Sequence, residues 1–89
     1  MKIKEGFVLR EVAGSFVVLP LAKSTAEFNG MLTLNESGVL LWKRLSEGCT
    51  LSELVSVLTE EYEVNEDVAL RDVEKFLAKI GEVGCIDMQ

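Results

Sequence analysis

The most informative absence in this sequence is histidine, of which there is none. Without it the chain lacks the commonest general base and the commonest metal ligand. Its two cysteines, Cys49 and Cys85, form no Cys-x-x-Cys, so a zinc site has too few ligands. The seven glycines occur singly rather than in a phosphate-binding loop. These absences indicate a protein without catalytic activity, metal or cofactor.

Long apolar runs are also missing. None approaches the roughly 20 residues that a transmembrane helix needs, and no apolar stretch follows the basic start as it would in a signal peptide. We therefore expect a cytoplasmic protein whose thiols are reduced and largely buried. With 89 residues, 48% of them apolar, and one proline, the chain is predicted to fold as a single domain spanning residues 1–89.

Positive charge is scarce: nine Lys and Arg face fifteen Asp and Glu, for a net charge of −6. Because Lys and Arg drive binding to nucleic acids and to anionic membranes, we expect neither as a partner. Arg71, Lys75 and Lys79 nevertheless recur every four residues as one basic stripe. Local pairing with Asp67 and Asp72 would make the stripe an ordinary solvated surface. The alternative is the cationic border of a groove that takes an acidic ligand.

Strand-forming residues occupy the first third of the chain. Residues 7–12 and 15–19 are rich in β-branched and aromatic side chains and predict a hairpin. Ala13-Gly14 between them suits a type I turn followed by a left-handed glycine. After a polar loop, a third strand over about residues 28–34 places Leu32 and Leu34 on one face. In so small a sheet some strand edges must stay open.

Three helices follow, each with its own start signal. Asn35 is a good N-cap, Thr50 with Glu53 forms a capping box, and Asn65 caps the third helix. Gly84 fits a Schellman ending of that helix. The predicted fold is α+β and winged helix-turn-helix-like, a three-stranded antiparallel sheet followed by a three-helix bundle. Residues expected in its core are Leu32, Leu34, Leu41, Trp42 and Leu45. The second helix has an apolar stripe of Leu51, Leu54, Val55, Leu58 and Tyr62, and the third a buried face of Ala69, Val73, Phe76, Leu77 and Ile80.

Three functions fit this architecture. A winged helix can read DNA with the unit made by its second and third helices, as in a transcription regulator. A peptide receptor can use the open strand edge, where an extended peptide adds as a further strand. A small structural or toxin–antitoxin-like subunit would act through its apolar surface. The charge balance counts against DNA.

An ordered set of motifs resembles the PqqD-like family. The main signature is Leu32-Thr33-Leu34-Asn35-Glu36-Ser37-Gly38, which leads to Leu41-Trp42 and Leu45. It is preceded by Val17-Val18-Leu19-Pro20 and followed by Thr50-Leu51-x-x-Leu54-Val55, Tyr62-Glu63-Val64 and Asp72-Val73-x-x-Phe76-Leu77-x-x-Ile80. The resemblance covers nearly the whole chain. Cys85 departs from it, since the family usually has Leu after the glycine.

The resemblance implies a non-catalytic recognition element that acts on ribosomally made peptides. Such a protein binds the leader of a precursor peptide and presents it to a modifying enzyme, often a radical SAM maturase. The leader adds alongside the third strand, in the groove towards the third helix. Carried over, the peptide-binding residues are Glu27, Phe28, Asn29, Gly30, Met31, Leu32, Thr33, Asp72, Val73, Lys75, Phe76 and Lys79. An unoccupied edge can also pair two copies as a homodimer. The resemblance does not make pyrroloquinoline quinone the product.

Overall fold

The computed structural model describes residues 1–20, 32–82 and 84–87. Within them the order of elements is strand-rich first and helical second, which confirms the predicted α+β fold. In chain order the elements are β1 (Lys2–Ile3), β2 (Phe7–Val12), β3 (Ser15–Pro20), β4 (Leu32–Leu34), α1 (Glu36–Glu47), α2 (Leu51–Glu61), α3 (Glu66–Glu82) and β5 (Ile86–Asp87). None of the described helices is long and apolar enough to cross a membrane.

The main sheet is antiparallel with the order β2-β3-β4. Its hairpin closes from Val12 to Ser15 over two residues, Ala13 and Gly14, whose φ angles are 51° and 82°. Positive φ at both positions is the signature of a type I′ turn, so the predicted type I turn is wrong. The physical reason is strand twist: a two-residue loop of type I′ matches the right-handed twist of its strands, whereas type I would splay them.

The three predicted helix caps are confirmed. The Asn35 side chain accepts from the Gly38 amide at 2.8 Å, and that of Asn65 from the Val68 amide at 2.9 Å. At α2 the Thr50 hydroxyl accepts from the Glu53 amide while the Glu53 carboxylate accepts from the Thr50 amide. These bonds satisfy amides that a helix start otherwise leaves unpaired. Each helix therefore begins where its local sequence says it should.

The end of α3 carries the predicted Schellman hydrogen bonds. The Cys85 amide donates to the Ile80 carbonyl at 3.0 Å, and the Gly84 amide donates to the Gly81 carbonyl at 3.1 Å. Gly84 adopts a φ of 74°, the left-handed conformation that this ending requires. The turn redirects the chain towards the N-terminal segment.

A second, two-stranded sheet was not predicted. In it β1 pairs antiparallel with β5, with Ile3 opposite Ile86. The Lys4 amide extends the contact to the Cys85 carbonyl at 2.8 Å, and the Cys49 amide donates to the Met1 carbonyl at 2.9 Å. Strands of two residues are too short to show a period of two, so nothing local in the sequence announces them.

The core lies between the main sheet and the three helices. The buried apolar residues are Val17, Val18, Leu32, Leu34, Val39, Leu41, Trp42, Leu45, Cys49, Leu54, Leu58, Ala69, Val73, Phe76, Ile80, Cys85 and Ile86. Both thiols are free and buried, as expected. Leu51, which begins the predicted apolar stripe of α2, is in contrast 40% exposed. As the first residue of α2 it lies at the helix end, beyond the packed face.

Candidate functional site

An open groove lies between β4, the first turn of α1 and one face of α3. It encloses a cavity of about 230 Å³. The described residues that line it are Leu34, Asn35, Ser37, Gly38, Leu41, Asp72, Lys75, Phe76 and Lys79. Its floor is apolar, because Leu34, Leu41 and Phe76 are all buried core residues that reach it from below. Gly38 lets α1 pack closely against β4, because a Cβ at this position would lie only 3.3 Å from the Leu34 Cβ.

The strand at the groove, β4, turns the backbone of its central residue outwards. In a two-residue hairpin the residues that flank the turn form a hydrogen-bonded pair, here Val12 and Ser15. Because the pairing alternates along antiparallel strands, Val17 directs its backbone groups to β2 and not to β4. Its partner in β4 is Thr33. The N–H and C=O of Thr33 therefore point away from the sheet, towards the groove.

A long-range hydrogen bond agrees with this orientation. The Lys79 ammonium donates to the Thr33 carbonyl at 2.9 Å, joining α3 to the side of β4 that faces away from β3. The two residues are 46 positions apart. One of the two outward backbone groups of Thr33 is thus already bound, while its amide has no partner among the described residues. Within the described part of the chain, an unpaired backbone donor therefore lies beside a groove with an apolar floor.

The rim of the groove is mainly cationic. Lys75 and Lys79 line it together with a single carboxylate, Asp72. Neither predicted local ion pair, that of Arg71 with Asp67 or that of Lys75 with Asp72, occurs among the described residues. Lys75 is exposed and forms no ion pair with any residue that the structure describes. Its charge is consequently available to a ligand in the groove.

The structure brings part of the predicted site together. Asp72, Lys75, Phe76 and Lys79 line the groove as a single face of α3. Thr33 presents its backbone, but Leu32 buries its side chain, and the register turns its backbone towards β3. Val73 has no exposed surface and packs in the core behind the groove. The remaining predicted residues, Glu27, Phe28, Asn29, Gly30 and Met31, lie outside the described residues.

Sequence reasoning missed the wall that α1 contributes. The sequence predicts Asn35 as a helix cap, yet Asn35 also lines the groove together with Ser37 and Gly38. Ser37 donates to the Asn35 side chain at 3.1 Å, which fixes the first turn beside the strand. The signal in the sequence is the single residue between β4 and α1, which keeps the first turn of the helix close to the end of the strand.

The groove continues past Asn35 into a second cavity. It holds about 370 Å³, and Leu58, Tyr62 and Val64 form its apolar side. The Tyr62 hydroxyl is buried and has no hydrogen-bond partner among the described residues. Burial of the ring raises the pKa of this phenol, and the negative charges of Glu36 and Glu61 raise it further by smaller amounts. The described residues contain no cluster of His, Cys, Asp or Glu that could hold a metal ion.

This fold and groove define a class, the winged-helix-like α+β domains in which the last strand of the described sheet faces the last helix. The chain belongs to the PqqD family, described as coenzyme PQQ synthesis protein D, whose sequence model matches residues 15–86. The matched residues include β3, β4 and all three helices, while β2 precedes them.

Two solved structures resemble the whole domain. One is TbiB1 in complex with the TbiA(beta) leader peptide, with a TM-score of 0.78 and 25% identity over 100% of this chain and 98% of that chain. The other is lasso peptide synthetase B1 complexed with the leader peptide. Its TM-score is 0.73 at 23% identity, covering 94% of this chain and 93% of that chain, and it shows the shared fold. No curated protein matches the chain significantly.

Proposed function

We propose that this protein is a non-catalytic recognition element that binds the leader of a ribosomally made precursor peptide. The observation that carries the proposal is the outward backbone of Thr33, which faces an apolar groove with a cationic rim. Two proteins of the same fold are complexes with leader peptides. An unpaired strand edge next to side-chain pockets is the arrangement that strand addition uses.

The leader would bind as an extended strand along the edge that β4 provides. Main-chain hydrogen bonds to the segment from Glu27 to Thr33 supply affinity that depends little on side chains. Alternate leader side chains then point into the groove, where apolar ones contact Phe76. Acidic leader residues gain from Lys75 at the rim. Because apolar side chains contact Phe76 and acidic ones contact Lys75, we expect a preference for leaders that alternate apolar and acidic residues.

The second partner in this proposal is the enzyme that modifies the precursor, such as a radical SAM maturase. A leader held by its backbone leaves the core of the precursor free for that enzyme. No chemical step falls to the recognition element itself, whose role is to hold the leader and raise the local concentration of the core. The identity of the final product is set by the enzyme and the precursor.

Isothermal titration tests the proposal. The ligands are synthetic leader segments of the precursor genes that neighbour the gene of this protein, with scrambled leaders as controls. We expect one leader to bind with a 1:1 stoichiometry and its scrambled form to bind more weakly, because only the side-chain contacts in the groove depend on sequence. A folded protein that binds none of the neighbouring leaders would overturn the proposal.

The DNA-binding alternative is not favoured. The stripe that would have to meet phosphates is engaged elsewhere, because Lys79 bonds within the molecule and Lys75 lines the groove. The net charge of −6 also opposes it. A gel shift at low salt with random-sequence duplex DNA should show no complex.

A further inference from the structure

A second apolar surface lies on the other side of the helical layer, between α2 and α3. Leu51 and Leu70 are 40% and 37% exposed, and both line an open cleft of about 280 Å³. Val55, which is half-buried, lines it between them. We name this surface the α2–α3 cleft. Exposed leucines that share one cleft, rather than standing singly, are a feature of interaction surfaces.

The charge of the α2–α3 cleft is opposite to that of the groove. Glu66 and Asp67 line the cleft, and no Lys or Arg among the described residues does so. The groove has Lys75 and Lys79 at its rim. Complementary charge selects partners and speeds their encounter. The α2–α3 cleft therefore fits a protein segment whose apolar side chains are flanked by Lys or Arg, and it disfavours an acidic leader.

The two surfaces lie on opposite sides of α3. At about 100° per residue, the nine positions from Leu70 to Lys79 amount to two and a half turns. A ligand in the groove and a partner on the α2–α3 cleft thus contact different faces of one helix. Both can be bound at the same time without contact between them.

We propose that the α2–α3 cleft docks the modifying enzyme, through an apolar segment flanked by basic residues, while the leader occupies the groove. The inference rests on the proposed function and adds to it the surface for the second partner. It explains why two leucines stay exposed on a domain that buries its other helix leucines more fully. It also separates the tasks of recognising the leader and recruiting the enzyme.

The experiment uses the full chain, its leader and the purified modifying enzyme encoded beside its gene. Leu51→Ser combined with Leu70→Ser should weaken binding of the enzyme at least about tenfold, since truncation of central apolar anchors has effects of this size. Affinity for the leader should stay within about twofold. The matched control is Val12→Ser, which removes an apolar side chain that is 49% exposed on β2. It should change neither affinity.

A second variant tests the charge and spares the apolar residues. Glu66→Gln combined with Asp67→Asn should also weaken enzyme binding and flatten its dependence on salt. Circular dichroism checks that both double variants fold. Unchanged enzyme affinity in both would overturn the docking surface, as would an equal loss in Val12→Ser, no enzyme binding by the wild type, or sedimentation showing that the cleft pairs two copies. A wild type that binds no leader would instead overturn the proposed function.

Discussion

Lys75 and Lys79 belong to one stripe of α3 but have different surroundings. Lys79 donates to the Thr33 carbonyl and so holds the helix against the strand. Lys75 has no partner of this kind among the described residues. The sequence predicted the stripe and its two interpretations, but spacing alone does not distinguish a charge that fixes the fold from one left for a ligand. The two lysines differ because only Lys79 contacts Thr33, a residue 46 positions away in the sequence.

The charge of Lys75 gives a first prediction. Lys75→Glu should weaken binding of an acidic leader by up to about fivefold, the range of an exposed ion pair, and the effect should shrink as salt increases. Arg71→Glu is the matched control, because Arg71 is exposed on the same helix but does not line the groove. Titration calorimetry at low and high salt measures both. Equal losses in the two variants would show a general field rather than a contact at the groove.

The thiol of Cys85 gives a second prediction. Burial raises the pKa of this thiol from 9.0 to about 11, with a smaller opposing effect of Lys4. Above pH 9 the unfolded chain releases the proton while the folded chain retains it, so stability falls as pH rises. The difference in unfolding free energy between wild type and Cys85→Ala should shrink by about 2 kcal/mol between pH 8 and pH 11. Urea unfolding across this range measures it, and a constant difference would contradict it.

Among the elements, the β2–β3 turn has a conformation unfavourable for its sequence. Ala13 has a φ of 51°, although the left-handed region crowds the Cβ of an L-residue. Ala13→Asn should raise the free energy of unfolding by about 0.5–1 kcal/mol, since Asn-Gly is preferred in type I′ turns. Ala78→Asn, at an exposed position of α3, is the control and should lower it. Urea unfolding compares them, and a loss at both positions would contradict the type I′ turn.

The sequence predicts helices better than it predicts sheet edges, and the reason is locality. A cap such as Asn35, or the box of Thr50 and Glu53, joins residues three apart, so a single pattern contains both partners. The same local contact also acts on charge: the hydrogen bond from the Thr50 amide is the largest cause that lowers the pKa of the Glu53 carboxyl. The pairing of Ile3 with Ile86 joins segments with the whole domain between them. No window of sequence contains both, and the same is true of the Lys79 contact.

The outward backbone of β4 gives a fourth prediction. Thr33→Pro removes an amide that points away from the sheet, so β4 keeps its pairing with β3. Binding of the leader should weaken at least about tenfold, through the lost donor and the added ring. Glu11→Pro is the matched control: the same alternation turns the Glu11 amide outwards on β2, the opposite edge of the sheet. If the wild type, Thr33→Pro and Glu11→Pro all bound the leader with equal affinity, the leader would have to bind at a site other than the edge of β4.

On the scale of the whole molecule, the charges are segregated around α3. Its basic residues line the groove beside β4, and the acidic side chains of Glu66 and Asp67 line the opposite cleft. The two edge strands of the described sheet also differ in their surroundings: β4 faces the groove, whereas β2 carries the exposed charge of Glu11. Edge charges of this kind discourage pairing with a copy. The homodimer predicted from sequence would therefore use β4, in competition with the leader.

Binding at β4 should stabilise the entire domain, which gives the last prediction. A ligand that binds only the folded state adds about 2.7 kcal/mol at a concentration of 100 times its Kd. For a domain of this size that amounts to a rise in Tm of roughly 10–20 °C. Differential scanning calorimetry with and without leader measures the rise. Glu11→Pro should keep it, and Thr33→Pro should lose at least about half of it at the same leader concentration, because a tenfold higher Kd lowers the stabilisation to about 1.4 kcal/mol. A rise of equal size in Thr33→Pro would show that the leader stabilises the fold from a surface other than the edge of β4.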